Sequence, residues 1–187
     1  MSMPAIRPVT TIEELWALPE DGTRHELLDG VHVVTPTPAY GHQYLVSRLH
    51  GALTRALDGR PDLVTLASPA DIVLGPRTLV QPDLFVLRIN PGSPPRSWSE
   101  AGVPMVAIEV LSPSTAPRDR GAKRRIYQRA GVEEYWVVDM DARLIERWTP
   151  EDTRPEIIDE RLEWRDGGTT LLVLTLDQLF GAPAPGR

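Results

Sequence analysis

The sequence contains no cysteine, a single lysine and no long apolar run. The missing cysteines exclude disulfide bonds, thiol chemistry and zinc sites built on thiolates. No segment approaches the ~20 apolar residues that a membrane-spanning helix needs, and the amino terminus lacks the basic and apolar regions of a signal peptide. We therefore expect a soluble protein of the cytoplasm that has no membrane partner.

Lysine is the scarcest charged residue, because Lys123 is the one lysine among twenty basic residues and all the others are arginines. A GC-rich genome, which favours arginine codons, is one explanation, with a single lysine surviving by chance. A chemical requirement is the other explanation. Lysine is a compact point charge whose pKa its surroundings can lower, whereas arginine stays protonated and carries a broad planar group. Lys123 is therefore a candidate functional residue.

The length of 187 residues and the apolar content of 41% suit one globular domain with a substantial core. We assign residues 1–180 to this domain. Residues 181–187, in which glycine, alanine and proline predominate, are predicted to form a disordered tail.

Hydrophobic periodicity and turn residues predict secondary structure along most of the chain. Thr10 and Glu13 form a capping-box pattern at the start of a helix at 10–18, and Asp29-Gly30 predicts a two-residue hairpin turn. Other helices are predicted at 42–57 and 118–130, and a surface loop is predicted at 90–102. Beyond Pro150 we predict edge strands, followed by a final turn at 176–180. The remaining predicted strands are 24–28, 31–34, 62–67, 70–74, 79–87, 104–110, 134–139 and 143–149.

Two carboxylates lie at the ends of strands that are rich in branched and aromatic residues. Asp83, which follows Pro82, opens one apolar run, and Glu109 lies near the end of another. If these strands are antiparallel neighbours, both carboxylates lie at the same edge of a sheet. With the backbone carbonyl of Val110 they would form a seat for Mg²⁺, which takes one or two carboxylates and keeps several waters.

Pro61-Asp62 is a rival to Pro82-Asp83 for the first carboxylate. It lies in a turn just past a predicted helix, and no strand that ends in glutamate follows soon after it. We therefore prefer Asp83 and assign Asp71, in a neighbouring strand, a structural role.

The strand that carries Glu109 lacks a lysine. The position two residues later, which would return to the same face of the strand, is occupied by Leu111. A substitute follows, because Asp119, Lys123 and Tyr127 are spaced at i, i+4 and i+8. This spacing places all three on one side of a helix that packs against the sheet.

These motifs resemble those of the Uma-type restriction endonucleases, a branch of the PD-(D/E)XK nuclease superfamily. The resemblance runs from the segment around Glu13 to Trp136. It rests on Pro82-Asp83, Glu109-Val-Leu-Ser-Pro-Ser-Thr115, Asp119, Lys123, Tyr127 and Gly131-Val-Glu-Glu-Tyr-Trp136. It implies an α/β fold of mixed α+β type, with a restriction-endonuclease-like core in which helices flank a central mixed sheet.

The resemblance also implies a site and partners. Asp83 and Glu109 would hold Mg²⁺, or Mn²⁺, together with Val110. In this branch the lysine is thought to have moved onto the helix, which corresponds to Lys123. The family counts a glutamate at the place of Glu26 among its active-site acids, as a further metal ligand or water holder; a solvent-facing strand residue is the alternative. The expected partners are DNA and a second copy of the chain, since cutting both strands of a duplex requires two sites related by a two-fold axis.

Charge is distributed unevenly along the chain. The net charge of −6 disfavours indiscriminate DNA coating, because phosphate binding is driven by cations. Residues 118–129 contain six basic residues and one acid, which gives +5 and leaves −11 for the rest of the chain. This helix either contacts a few phosphates or presents a solvated face that neutralises nearby carboxylates.

We predict a Mg²⁺-dependent endonuclease that hydrolyses phosphodiester bonds in DNA. Lys123 would orient the attacking water or stabilise the charge that grows on the phosphate. A catalytically inactive nuclease fold that serves as a binding module, in a complex or a mobile element, is the alternative. A lysine-based carbonyl enzyme is disfavoured, because the two carboxylates would hold the lysine protonated.

Two further residues have open assignments. His42, at the start of a helix, either reaches a phosphate or metal-bound water or serves in capping and packing. Trp98, in the middle of the 90–102 loop, either stacks on a base or a partner subunit or packs within its own chain.

Overall fold

A six-stranded mixed sheet forms the centre of the computed structural model, which describes residues 8–181. The strands are β1 (Arg24–Leu28), β2 (Val31–Thr35), β3 (Leu63–Ala67), β4 (Ile72–Gly75), β5 (Thr78–Val80), β6 (Leu84–Arg88), β7 (Val106–Val110), β8 (Glu134–Asp139), β9 (Leu144–Trp148), β10 (Glu156–Ile158), β11 (Arg161–Asp166) and β12 (Thr169–Thr175). The helices are α1 (Ile12–Trp16), α2 (Tyr40–Ala56), α3 (Trp98–Ala101), α4 (Ala116–Arg118), a π-helix π1 (Asp119–Lys123), α5 (Arg124–Ala130) and α6 (Leu176–Phe180).

The central sheet has the strand order β10-β9-β8-β7-β6-β3. Strands β7 and β8 run parallel, and the other neighbouring strands run antiparallel. An antiparallel sheet of order β2-β1-β5-β4 lies beside it, and β11 pairs with β12. The predicted α/β architecture, in which helices flank a mixed sheet, is confirmed.

Alternation along β7 separates the two faces of the central sheet. Ile108 belongs to an apolar cluster that includes Leu49 of α2. Ala107 belongs to a second cluster, which includes Ile126 of α5. Because successive side chains of a strand point to opposite faces, Glu109 shares the face of Ala107 and points toward the helical segment 116–130.

The two strands next to the predicted carboxylates are antiparallel neighbours, which is the arrangement that the predicted metal site needs. Leu84 of β6 pairs with Ile108 of β7. Asp83 immediately precedes β6, and Glu109 follows Ile108. The register therefore brings both carboxylates to one end of this strand pair.

The predicted strand 79–87 is wrong in one respect, because it is two strands. Strand β5 belongs to the four-stranded sheet and β6 to the six-stranded sheet. The chain crosses between the sheets at Gln81-Pro82-Asp83, where Pro82 has no N–H to donate to a strand ladder. We call these three residues the crossing segment.

The first helix begins one residue later than its capping pattern predicted. The cap is Thr11, whose side chain accepts the N–H of Glu14 while the Glu14 side chain bonds back to the cap. The helix buries Ile12 and Leu15.

The β1–β2 hairpin is confirmed with its predicted turn. Asp29 and Gly30 both have positive φ angles, 53° and 86°. Two successive residues with positive φ match the right-handed twist of a hairpin, which is why Asp-Gly suits this position.

The carboxy-terminal part departs from the predicted run of edge strands. Strand β10 is an edge strand of the central sheet, whereas β11 and β12 form a hairpin of their own. Helix α6 replaces the predicted turn, and α3 lies within the predicted 90–102 loop. Of the predicted tail, residues 182–187 lie outside the described residues. Among residues 8–181, no helix combines the length and apolar character needed to cross a membrane.

Candidate active site

A cavity of about 190 Å³ lies at the end of the β6–β7 strand pair. Asp83, Glu109, Val110 and Lys123 all line it. The predicted metal ligands and the predicted lysine are therefore brought together. Glu26, the fifth predicted site residue, is not part of this lining and reaches the site through Lys123.

Asp83 is held by three donors. Nη1 of Arg24 lies 2.9 Å from Oδ1, and Nε2 of His42 lies 3.0 Å from Oδ2. The backbone N–H of Val110 donates to Oδ2 over 2.9 Å. Burial by itself would raise the pKa of Asp83, but His42, Arg24 and the Val110 amide lower the pKa to about 2. Asp83 is therefore a carboxylate throughout the physiological pH range.

Lys123 is buried among three carboxylates. Its Nζ lies 2.7 Å from Oε1 of Glu26, 2.8 Å from Oε1 of Glu109 and 4.0 Å from Oδ1 of Asp119. Burial opposes the positive charge, but the attraction of Glu109, Glu26 and Asp119 outweighs it and raises the pKa of Lys123 above its ordinary value. The surroundings thus raise the pKa of Lys123, although the pKa of a lysine can also be lowered by its surroundings. Lys123 is therefore a fixed positive charge rather than a nucleophile.

Glu109 is a buried carboxylate that contacts both Lys123 and Tyr127. Its Oε1 accepts hydrogen bonds from Lys123, at 2.8 Å, and from the hydroxyl of Tyr127, at 3.0 Å. Burial raises the pKa of Glu109 well above its usual value, and repulsion from Asp119 and other acids adds to this, while Lys123 opposes it. The charge on Glu109 therefore depends on the cations that surround it.

Glu26 is fully buried, which excludes the solvent-facing alternative for this residue. Its Oε1 accepts the backbone N–H of Gln81 at 2.8 Å, in addition to the ammonium of Lys123. Glu26 lies on β1 and Gln81 lies in the crossing segment. The ion pair with Lys123 therefore joins the four-stranded sheet to the helical segment.

Asp119 adds a third acid to the surroundings of Lys123. Its Oδ1 is buried and has no hydrogen-bond partner, although Asp119 lines the cavity. Burial raises the pKa of Asp119, while Lys123 and Thr115 oppose the shift. An acceptor that is buried without a partner is costly, and a cation in the cavity would satisfy it.

Within residues 8–181, no three side chains among Asp, Glu, His and Cys form a ready-made metal cage. The donor set fits Mg²⁺, which binds one or two carboxylates and keeps most of its waters. Asp83 and Glu109 supply the carboxylates of the shared cavity, and Oδ1 of Asp119, which accepts no hydrogen bond, adds a further acceptor.

Sequence reasoning missed Arg24 and left His42 undecided. Arg24 shares a face of β1 with Glu26, because the two are two residues apart, and this spacing was an available signal. His42 lies in the first turn of α2, and its contact with Asp83 joins residues 41 positions apart. No local pattern shows a contact of that kind.

Two arginines of the basic segment 118–129 neutralise nearby carboxylates, as the second of the two readings expects. Arg120 pairs with Asp139 and Glu146, each at 2.7 Å. Arg129 pairs with Asp29 at 2.6 Å. Arg118 differs from these residues because it lines the candidate active site.

Trp98 packs within its own chain. Its ring lies edge-on to that of Phe85, with the centroids 6.0 Å apart, and the side chain remains partly exposed. Asp71 has the predicted structural role, because it accepts hydrogen bonds from Gln81 and Trp16.

A mixed sheet with two carboxylates and a buried lysine at one end of a strand pair defines a protein of the restriction-endonuclease-like class. The model of a family described as "Uma2: Putative restriction endonuclease" matches residues 12–178, and the chain belongs to this family. The fold is similar to that of a protein from Anabaena variabilis described as a "putative nuclease". That comparison has a TM-score of 0.76 and 19% identity, and covers 92% of this chain and 98% of the other. No curated protein matches the chain.

Proposed function

We propose that this protein is a Mg²⁺-dependent endonuclease that hydrolyses phosphodiester bonds in DNA. The observation that carries the proposal is the convergence of Asp83, Glu109 and Lys123 in one small, largely buried cavity. Membership of the family and the similarity of the fold to a protein described as a nuclease support it.

Asp83 and Glu109 would hold the metal ion, with the backbone carbonyl of Val110. Mn²⁺ is an alternative to Mg²⁺ because it prefers the same oxygen ligands. A bound Mg²⁺ supplies a water of lowered pKa and polarises the phosphate. The donors around Asp83 keep it ionised and hold the carboxylate in one orientation.

Lys123 would stabilise the negative charge that develops on the phosphate oxygens, or orient the attacking water. Its permanent charge suits the first role, because no proton has to leave it. Glu26 would act as a positioning residue, since its carboxylate lies 2.7 Å from Nζ of Lys123. The hydroxyl of Tyr127, which donates to the same oxygen of Glu109 as Lys123 does, would help to hold that carboxylate in place.

The proposal is tested by incubating supercoiled plasmid, linear duplex and single-stranded DNA with the protein, with Mg²⁺, Mn²⁺ or EDTA. We expect cleavage that requires the metal ion and is lost in Asp83→Asn and Lys123→Arg. The matched control is Asp62→Asn, which changes the rival Pro-Asp pair in a surface cluster with Arg60 and Arg88. Retained cleavage in folded Asp83→Asn or Lys123→Arg would contradict the assignment, as would its loss in Asp62→Asn.

A non-catalytic DNA-binding module is the second candidate, and one observation favours it. Lys123 already pairs with Glu109, so an ion must compete with its ammonium for that carboxylate. Calorimetric titration with Mg²⁺ and Mn²⁺ separates the two candidates. DNA binding without metal binding or cleavage supports the module.

A homodimer in the cytoplasm completes the proposal. Two sites related by a two-fold axis would cut both strands of a duplex. Light scattering coupled to size-exclusion chromatography measures the oligomeric state directly.

A further inference from the structure

A second cavity, of about 460 Å³, adjoins the candidate active site. Its wall includes Arg24, His42 and Asp83, which also line the first cavity. We infer that this second cavity, which we call the base pocket, holds one unstacked nucleobase of the DNA strand that the enzyme cleaves. The inference rests on the proposed nuclease function and adds a recognition site to it.

The size of the base pocket suits such a ligand. Sites for small molecules and cofactors commonly measure about 300–1,000 Å³. The base pocket lies within this range, whereas the 190 Å³ of the catalytic cavity suits a phosphate group with its waters. A nucleotide therefore fits across the two cavities, with its base in the larger one and its phosphate in the smaller one.

The chemistry of the lining suits a planar, uncharged group. The charged lining residues, Arg24 and Asp83, are paired with each other over 2.9 Å. Other lining residues provide amides, hydroxyls and flat apolar surfaces, among them Thr23, Thr37, Gln43, Pro38 and Pro69. A nucleobase needs both kinds of contact, because its edge forms hydrogen bonds and its faces stack on apolar surface.

Three buried atoms in the wall have no hydrogen-bond partner. They are Oε1 of Gln81, Nδ1 of His42 and Nε of Arg24. The amide nitrogen of Gln81 is held by Asp71 at 2.8 Å, and Nε2 of His42 is held by Asp83 at 3.0 Å, so in these two side chains the atom without a partner is the other polar atom of the group. Each unpaired atom is costly, and a base edge, which carries donors and acceptors, recovers that cost after a small side-chain shift.

The position of the base pocket links recognition to cleavage. Because the two cavities share the wall at Asp83 and His42, a base seated in the larger cavity brings its own phosphate toward the smaller one. An enzyme that takes a base out of the stack spends unstacking energy, and this cost is smallest for an unpaired or single-stranded nucleotide. We therefore expect the enzyme to prefer single-stranded or unpaired sites and to discriminate among bases at one position.

The test is binding of dAMP, dCMP, dGMP and dTMP in EDTA, measured by calorimetry or ligand-observed NMR, with deoxyribose 5-phosphate as the probe that lacks a base. We expect at least one nucleotide to bind roughly tenfold more tightly than the sugar phosphate. Gln43→Trp places a bulky side chain at an exposed position of the pocket wall and should abolish that difference. Ser47→Trp, on the same helix but outside the pocket, should leave it unchanged.

Binding in EDTA separates this inference from the proposed nuclease function, because it does not depend on cleavage. An enzyme that cleaves DNA but binds all four nucleotides no better than deoxyribose 5-phosphate overturns the base pocket alone. A preference for a nucleotide that survives Gln43→Trp overturns it as well. A protein that shows the expected binding pattern but cleaves no DNA supports the pocket and overturns the nuclease proposal.

Discussion

The side chain of Lys123 shows why one lysine stands among so many arginines. The side chain is 3% exposed, and its ammonium lies within 2.8 Å of two glutamates that belong to different sheets. A compact ammonium can approach both oxygens at once, whereas a guanidinium is broader and has a fixed planar geometry. The arrangement explains the residue type without reference to codon usage.

Removing the charge of Lys123 is expected to destabilise the fold. Lys123→Met keeps most of the side-chain volume but leaves Glu26 and Glu109 buried without a cation. Loss of one partner from a buried ion pair costs about 3–5 kcal/mol. Urea unfolding at pH 7 measures the change. Arg125→Met, at an exposed position of the same helical segment, is the control and should change stability by less than about 0.5 kcal/mol.

Asp83 is expected to contribute to acid denaturation. Its pKa is about 2 in the folded protein against 3.8 ordinarily, so its contribution is present above pH 3.8 and is lost as pH falls toward 2. The shift corresponds to about 2 kcal/mol. Asp83→Asn should remove this part of the pH dependence from unfolding free energies measured between pH 5 and pH 2. Parallel curves for the two proteins would show that Asp83 is not held as described.

Among the elements, the π-helix π1 carries Asp119 and Lys123 into the site. The i, i+4, i+8 spacing correctly predicted a helix with Asp119, Lys123 and Tyr127 turned toward the sheet, since all three are buried. It did not predict the wider turn, because a spacing of four fits an ordinary α-helix. Wide turns of this kind frequently occur at functional sites.

Substitution of Gly121 in π1 is expected to stabilise the fold without loss of activity. In Gly121→Ala the added Cβ meets no atom within 4 Å, and alanine favours a helix by about 1 kcal/mol relative to glycine. We expect the alanine variant to be active and slightly more stable than the wild-type protein. DNA cleavage and thermal unfolding provide the measurement, and a lower thermal midpoint of the alanine variant would contradict the open space around Gly121.

The strands show which structural features local sequence patterns can predict. The apolar runs after Asp83 and before Glu109 predicted β6 and β7, because buried strands have a strong compositional signal. Their antiparallel pairing was a condition for bringing the two carboxylates together, and the structure meets it. The break within 79–87 was missed, although Pro82 marked it. Arg24 and His42 were not assigned to Asp83, because such contacts depend on how distant elements pack.

At the scale of the whole molecule, the site lies where the two sheets meet. Glu26 comes from the four-stranded sheet, Glu109 from the six-stranded sheet and Asp83 from the crossing segment between them. The overall architecture was predictable from the order of strands and helices together with the family resemblance. The meeting of the two sheets at Lys123 was not, because it depends on the three-dimensional arrangement of segments that are far apart in the sequence.

Metal binding at this junction should stabilise the entire fold. A ligand that binds only the folded state adds about 2.7 kcal/mol at a concentration one hundred times its dissociation constant. We expect Mg²⁺ and Mn²⁺ to raise the thermal midpoint of the wild-type protein and to leave that of Asp83→Asn unchanged. An equal rise in both proteins would place the bound ion elsewhere.

The crossing segment has a consequence for how this protein can evolve. Gln81 and Asp83 are separated by one proline, yet the first belongs to the wall of the base pocket and the second to both cavities. The length of the crossing segment is therefore constrained by both cavities, because its residues line each of them. Residues 36–38 lie in the connection between β2 and α2 and line both cavities as well. Substitutions in this connection would therefore act on both cavities at once, and an insertion or deletion in the crossing segment would displace a wall of each.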